Sequence, residues 1–231
     1  LISSCSRSSV EMVNTLLAVK GINVNARGYG GNTALITAVL LGNIQIVKIL
    51  SNTEGVNINL RNDEWNTPLQ VACLNKKTEI AQYLLSLKDI SVNSFNKKNE
   101  TAITISVRQN DPDTLHLLLM NKDTDANVCT DDVPTPLAIA AENGFVDVAI
   151  ELISSPKVDV NMPSPPESLA PIFIACSSGH ADLVKVILSS RRIKSDLYPG
   201  SRVKYLFDAA EGNKDVIASY CPSYFKPTNR L

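Results

Sequence analysis

Thr67-Pro68-Leu69-Gln70-Val71-Ala72 reads as the opening of a short helix, and it returns as Thr135-Pro136-Leu137-Ala138-Ile139-Ala140. In both copies the Thr hydroxyl stands where an N-cap accepts a backbone N–H. The Pro takes the first helical position, where a missing N–H costs nothing. Leu69 with Ala72, and Leu137 with Ala140, then share one helical face. Working outward, these copies belong to a longer series: Asn25, Asn59, Asn93, Asn127 and Asn161 recur at an unbroken spacing of 34. The same step links Thr33, Thr67, Thr101 and Thr135, and Leu35, Leu69, Ile103 and Leu137. It also links the small residues Ala38, Ala72, Ser106 and Ala140, and the apolar columns that start at Val47 and Leu50. After residue 161 the step lengthens by one, which brings Pro171, Ile172, Ala175, Val184 and Ile187 into register. The chain is a tandem array.

Within each unit a small polar break follows the first helix, at Gly42-Asn43 or Asn143-Gly144. A second helix then buries an apolar stripe, as in Ile44 to Leu50, with i, i+3, i+4 spacing. Beyond it the pattern predicts a β-rich segment containing Asn, Gly-Ile-Asn-Val-Asn at 21–25 and Gly-Val-Asn-Ile-Asn at 55–59. Asn suits that place because it tolerates positive φ and hydrogen-bonds nearby backbone.

Thr-Pro-Leu-x-x-Ala at 67–72 and 135–140, preceded by Val/Ile-x-Val/Ile-Asn, resembles the ankyrin repeat, and the resemblance covers essentially the whole chain. The period alone equally suits tetratricopeptide repeats. Those have no place for the β-prone segment, and their Trp, Gly and Tyr columns are missing here. The resemblance implies an all-α repeat solenoid, an ankyrin-repeat stack of helix-turn-helix units with β-hairpin-like finger loops. The expected division is a partial or capping unit at 1–27, repeats at 28–61, 62–95, 96–129, 130–163 and 164–198, and a degenerate C-terminal capping repeat and tail at 199–231. Leu1 aligns with Leu35, so the chain is expected to open inside a first helix, as a cut or a cap. Leu206 to Asn213 resembles a shortened repeat ahead of Cys221-Pro222, and a cap hides the last apolar face of a solenoid.

Two departures from the family pattern bear on the fingers. The usual His after Thr-Pro-Leu is replaced by Ile36, Gln70, Thr104, Ala138 and Phe173, so its hydrogen bonds to neighbouring turns are expected to be lost. The turn glycine survives as Gly31 but becomes Trp65, Asn99, Val133 and Ser168. Asn99 can turn left-handed, whereas Val133 is β-branched and precedes Pro134, so it should be extended and the fingers should vary in turn type.

Composition narrows the function. The 231 residues are 44% hydrophobic and 19% charged, with a formal net charge of -1, a balance unlike the basic excess of nucleic-acid binders. No apolar run is long enough to span a bilayer, so no membrane insertion is expected. The chain starts at Leu1 rather than Met, so it is read as a fragment or a trimmed chain whose N-terminal targeting is not visible. The expected compartment is intracellular and reducing, cytoplasmic or nuclear.

Catalytic, metal and cofactor sites are not expected. Cys5, Cys73 and Cys176 share one buried column, and alternate layers lie roughly 20 Å apart at about 10 Å per packed helix. A disulfide needs Cα atoms within about 7 Å, so these are core thiols; Cys129 and Cys221 are spectators. No C-x-x-C pair exists to hold zinc. His116 falls on an outward position, His180 follows Gly179 as a structural residue, and the two stand in different columns. Gly28-Tyr29-Gly30-Gly31 is a finger turn rather than a phosphate loop, because no Lys-Ser/Thr follows it. Arg191-Arg192-Ile193-Lys194 reads as a solvated helix end that complements the dipole, and Pro163, Pro165 and Pro166 as a tolerated change in the sixth finger.

In ankyrin proteins the fingers and first helices line a concave groove that commonly binds partners. Here the corresponding residues give an apolar, aromatic patch of Tyr29, Leu40, Leu41, Trp65 and Leu74, then a basic strip of Lys97, Lys98 and Arg108, then the acidic Asp131 and Asp132. Exposed Tyr, Trp and Leu close together are what an interaction hot spot uses. Finger charges of alternating sign also suit simple attraction between neighbouring repeats. The leading expectation is a non-catalytic protein-protein interaction scaffold, monomeric, that binds another protein through the groove. The alternative is the targeting or substrate-recruiting arm of a larger enzyme or effector whose catalytic part lies outside this chain.

Overall fold

The computed structural model describes residues 1–166 and 168–193. Among them are twelve α-helices in six helix hairpins. These are α1 (Ile2–Ser6) with α2 (Val10–Leu17), α3 (Ala34–Leu40) with α4 (Ile44–Ser51), and α5 (Pro68–Leu74) with α6 (Thr78–Leu85). They continue as α7 (Ala102–Arg108) with α8 (Pro112–Met120), α9 (Pro136–Asn143) with α10 (Val146–Ser154), and α11 (Pro171–Ser177) with α12 (Ala181–Ser189). The chain divides into two compact units, Leu1–Asp125 and a second that begins at Ala126. In the first, α1, α3, α5 and α7 pack in one row and α2, α4, α6 and α8 in another. In the second, α9 packs on α11 and α10 on α12.

Helices of this length are too short to persist alone, so their ends are fixed by capping and their faces by stacking. Thr33, Thr67 and Thr135 accept the N–H groups of Ile36, Gln70 and Ala138 at 3.2, 3.3 and 3.3 Å. Pro68, Pro136 and Pro171 open their helices as the sequence predicts. Asn43 and Asp111 cap the second helices α4 and α8 in the same way. The periodic apolar columns form the core: Leu35, Leu69, Ile103, Leu137 and Ile172 are buried, as are Leu50, Leu84, Leu118, Leu152 and Ile187. The small-residue column lets the helices approach closely, and Ser106, a polar member of it, donates its hydroxyl to the Ala102 carbonyl at 3.0 Å.

The break between paired helices has one backbone geometry throughout. Ser8, Gly42, Lys76, Asn110, Gly144 and Gly179 all lie in the left-handed region, with φ between +49° and +76°. Three of the six are not glycine, so the hairpin connection imposes this conformation whatever residue the sequence supplies.

The Asn-containing segments differ from expectation. Residues 21–25 and 55–59 are turns and open backbone, and the only β-pairing among the described residues is an isolated bridge between Ser164 and Leu169. The cause is side-chain competition: Asn23 and Asn57 capture the N–H two residues on, at 3.1 and 2.9 Å, which turns the chain before it can extend. The Asn residues of the 34-residue ladder do not use positive φ; they serve wholly as hydrogen-bonding groups.

Arg192 also departs from its reading as a solvated helix end. Its guanidinium donates to the carbonyls of Val158, at 2.8 Å, and of Ile153, within the last turn of α10. It therefore caps the preceding hairpin's second helix rather than its own. Lys194, Cys221 and the expected capping repeat at 199–231 lie outside the described residues.

Cys5, Cys73 and Cys176 are buried and unbridged, as their column implies, while Cys129 is half-exposed. Burial pushes the Cys73 thiol from 9.0 up to about 12; the neighbouring Asp111 adds to the rise and a hydrogen bond with Ser106 opposes it. Native protein should react with a thiol reagent at Cys129 well before Cys5, Cys73 or Cys176, and peptide mapping of the labelled sites checks the order. Above pH 9 the unfolded chain ionises Cys73 and the folded chain does not. Alkaline titration should therefore erode stability from pH 9 towards 12, and Cys73→Ala should flatten that slope. Lys76→Gly should raise stability by about 0.5–1 kcal/mol, the relief of left-handed strain less glycine's extra freedom when unfolded. Urea denaturation measures it, and a loss would show that Lys76 is held there by contacts.

Candidate functional site

The fingers are the segments between one hairpin and the next, and two sets of hydrogen bonds hold them. In the first unit each closes on itself through a wide backbone bond, Gly28 N–H to Asn32 carbonyl, Asn62 to Asn66 and Asn96 to Glu100, at 2.9, 3.0 and 3.0 Å, with a tighter turn bond inside it from Gly31 to Gly28, Trp65 to Asn62 and Asn99 to Asn96. Neighbouring fingers of the first unit are then stitched tip to tip, Asp63 N–H to Gly30 carbonyl and Lys97 N–H to Glu64 carbonyl, at 3.0 and 3.1 Å. Beneath the tips, Asn62 and Asn96 donate to the side-chain oxygens of Asn32 and Asn66 at 3.1 and 3.0 Å. Gln70 corrects the expectation that the missing His leaves the turns untied. Its Nε2 donates to the carbonyls of Ser94 and Glu100 at 2.7 and 2.9 Å, and its Oε1 accepts from Thr67.

The base of each finger is set by the Asn ladder. Asn25, Asn59 and Asn93 donate to the carbonyls of Gly55, Asp89 and Asp123, at 2.7–2.8 Å. Their side-chain oxygens accept from Asn57, Ser91 and Asp125 at 2.9–3.0 Å. In the second unit Asn127 does the same with Lys157 and Asp159. The bonded groups lie in the loop after the next second helix and at the base of the next finger, not in buried finger backbone.

The finger turn keeps one geometry more widely than its residues suggest. Gly31, Trp65, Asn99 and Ser168 all have positive φ, at 68°, 61°, 57° and 53°, and Val133 is the exception that its β-branch and Pro134 require. At Gly31 a Cβ would stand 2.2 Å from Asp63 Oδ1. That carboxylate pairs with Arg27 at 2.9 Å in an exposed position, so a side chain here would displace the pair, and glycine suits the site first through its φ. Trp65 takes the same left-handed backbone with a large aromatic ring and remains 53% exposed.

The other sequence-predicted residues occupy several places. Tyr29 is fully exposed in the short 3₁₀ turn Tyr29–Gly31. Leu40 and Leu41 are exposed at the end of α3, and Leu74 is half-buried at the end of α5. Arg108 Nε lies 3.1 Å from Glu100, whose side chain is 12% exposed, and Lys97 lies 3.9 Å from Glu64. Lys98 alone of the three makes no ion pair among the described residues. Arg27–Asp63 and Lys97–Glu64 show that finger charges do pair between neighbours, in exposed positions where such pairs add little stability. His116, in the first unit, is exposed, and in the second unit His180 is structural, with Nε2 3.0 Å from the Glu142 carbonyl.

Two concavities in the first unit share Trp65 and Arg61. One, of about 610 Å³, is walled by Arg61, Trp65, Ile90, Phe95, Asn99 and Asp123, among others. The other, of about 350 Å³, is walled by Arg27, Arg61, Asn62, Asp63 and Trp65. Neither includes Leu40, Leu74 or Arg108. Phe95, 38% exposed, and Arg61 were not singled out by the sequence. They share a column with Arg27 and Cys129, where Arg occurs twice and no one residue type holds throughout. Among the described residues no group of His, Cys, Asp and Glu is placed to hold a metal ion, and no helix is long and apolar enough to cross a membrane.

The ladder, the finger turns and the stacked hairpins match what comparison with known families finds. The family model for ankyrin repeats, a three-copy pattern, matches residues 1–62, 54–128 and 103–199. The chain belongs to the ankyrin-repeat family. Members of this family are generally protein–protein interaction modules, and the repeat is typically non-catalytic. Similar solved structures include the ankyrin repeat protein EF0377, with a TM-score of 0.75 and 22% identity over 82% of this chain and 96% of that one. An ankyrin repeat domain, ABAYE2397 from Acinetobacter baumannii AYE, has a TM-score of 0.73 and 19% identity over the same shares. At such identities the likeness is one of fold. No curated protein matches the chain in sequence.

Asn93→Ala removes two hydrogen bonds from an exposed ankyrin ladder position and should cost about 1–2 kcal/mol. Urea titration followed by helical circular dichroism checks this. An unchanged midpoint would mean that water replaces the carboxamide without loss.

Proposed function

We propose that the chain is a non-catalytic, monomeric scaffold that binds another protein through the concave groove of its ankyrin array, across the repeats at 28–61, 62–95 and 96–129. Trp65 is the anchor, with Tyr29, Leu40, Leu41 and Leu74 as further apolar contacts, and Lys97, Lys98 and Arg108 steer the encounter. The observation that carries this reading is Trp65 itself. A half-exposed indole on left-handed backbone is unfavourable twice over, in strain and in wet apolar surface. Glycine occupies the equivalent position at Gly31 without either cost. A residue kept against folding stability is explained by what it offers a partner, and a Trp supplies large rigid contact area there.

Substitution separates anchor from plug. Trp65→Ala keeps the strained φ and loses the ring, whereas Trp65→Gly relieves the strain, so the Gly variant should be the more stable by about 1 kcal/mol. Both should lose about 2 kcal/mol or more of affinity for a protein partner, through faster dissociation in surface-plasmon measurements. If both variants instead unfold early and bind normally once refolded, the Trp is a structural plug. Because Lys97 and Arg108 already face carboxylates, Lys98→Glu should slow association and blunt its salt dependence more than Lys97→Glu does.

A further inference from the structure

The segment Ile90–Phe95 breaks the hydrogen-bonding pattern of its counterparts. In the two preceding fingers, Asn23 and Asn57 hold the N–H groups of Asn25 and Asn59 by their side chains, and those of Ala26 and Leu60 by their carbonyls. Ser91 stands at the equivalent position and makes neither pair of bonds, its shorter side chain falling short of the Asx-turn geometry. Among the described residues the N–H groups of Asn93 and Ser94 thus have no intramolecular acceptor, and both residues line the 610 Å³ concavity. Trp65 and Phe95 wall that concavity with exposed rings, and the side chain of Ile90 adds apolar surface.

Charge is unevenly used around it. Arg27 is tied to Asp63, but Arg61, exposed and shared by both concavities, has no ion pair or hydrogen bond among the described residues. The ladder orders the two charges at this site. Ser91 is bonded to Asn59, on the Arg61 side, and Asn93 to Asp123, so Arg61 and Asp123 flank the open segment from opposite neighbours. A guanidinium without a protein partner and two residues with open backbone N–H groups line one cleft; a carboxylate is the acceptor that suits the cation and the amides together.

We infer that this cleft takes an extended peptide segment of a partner protein in which a carboxylate side chain adjoins an apolar one. The carboxylate pairs with Arg61 and the open N–H groups of Asn93 and Ser94, and the apolar side chain lies between Trp65 and Phe95. A second acid on the Asp123 side is repelled, which fixes the direction of the segment. The inference rests on Trp65 as an anchor and gives the chemistry of what it anchors.

Trp65 is the sole tryptophan of the chain, so its fluorescence reports on this cleft directly. The probes are terminally blocked Gly-Leu-Asp-Leu-Gly and the same peptide with Asn or Lys in place of Asp, titrated into the full chain. The Asp peptide should shift the emission saturably to the blue and bind at least tenfold more tightly than the Asn peptide. Arg61→Gln should shrink that preference to under about twofold without moving the thermal transition, and Ser94→Pro, which deletes one donor, should weaken the Asp peptide. Equal binding of Asp and Asn peptides, preference for the Lys peptide, no shift at millimolar peptide, or acetate reproducing the shift would each overturn the inference. The two readings fail separately. A protein partner that needs Trp65 but ignores Arg61→Gln keeps the anchor and removes the carboxylate. An Asp peptide that binds as described while the partner ignores Trp65 does the reverse.

Discussion

One carboxamide per repeat, reaching into the next, is the constraint from which the rest of the structure follows. Each ladder Asn gives its N–H to a carbonyl thirty residues on and takes an N–H thirty-two residues on, at Asn25, Asn59, Asn93 and Asn127 alike. A two-point tether of this kind fixes both the distance and the rotation between successive hairpins. Helices of five to nine residues have too little internal cooperativity to stand alone. Their stability comes from burying one face on the neighbour, and the ladder sets the register in which those faces meet. The unbroken step of 34 residues in the sequence is the chemical trace of that register.

The same tether explains how the fingers are presented. With its base held by the ladder and its tip stitched to its neighbour, a finger has little freedom to relax around an awkward side chain. Left-handed backbone recurs at the hairpin break and at the finger turn, irrespective of the residue there, and also after the second helix at Gly21, Gly55 and Asp89. Ser8, Lys76, Asn110, Trp65, Asn99 and Ser168 all accept it, because the surrounding bonds over-determine the turn. Only Val133, where the next residue is proline, escapes.

This separates what the sequence disclosed from what it concealed. The helices, their Thr caps and the core columns were legible because burial and capping each select a residue type at a fixed position, as at Thr67, Leu69 and Ala72. The left-handed positions are legible where glycine, or Asn at Asn99, marks them; Lys76 and Trp65 carry no local sign of their φ, which is imposed by tertiary bonds. The turns at Asn23 and Asn57 read as β structure in the sequence because Val and Ile flank them, and propensity loses to the side-chain hydrogen bonds. Gln70 lacks the imidazole of the family's His, yet its amide is long enough to reach the next finger. Arg61 and Phe95 gave no signal, since a variable column looks the same whether it is free of constraint or adapted to a partner.

Lys76 and Trp65 show how strain can be told apart from function. Both are non-glycine residues on left-handed backbone at exposed positions. The aliphatic stem of Lys76 ends in a charge that water solvates, so the residue needs no explanation beyond tolerance. The ring of Trp65 leaves apolar surface in water and borders two concavities, one of which also holds open backbone donors, a second aromatic ring and a guanidinium without a partner. The exposed rings are unfavourable in the isolated chain, whereas the guanidinium and the N–H groups are solvated and open to exchange with an acceptor, and all of them coincide along one cleft. A single ligand can cover the rings and replace water on the donors together. This coincidence, rather than exposure alone, is what marks the cleft beside Trp65 as a place for a partner.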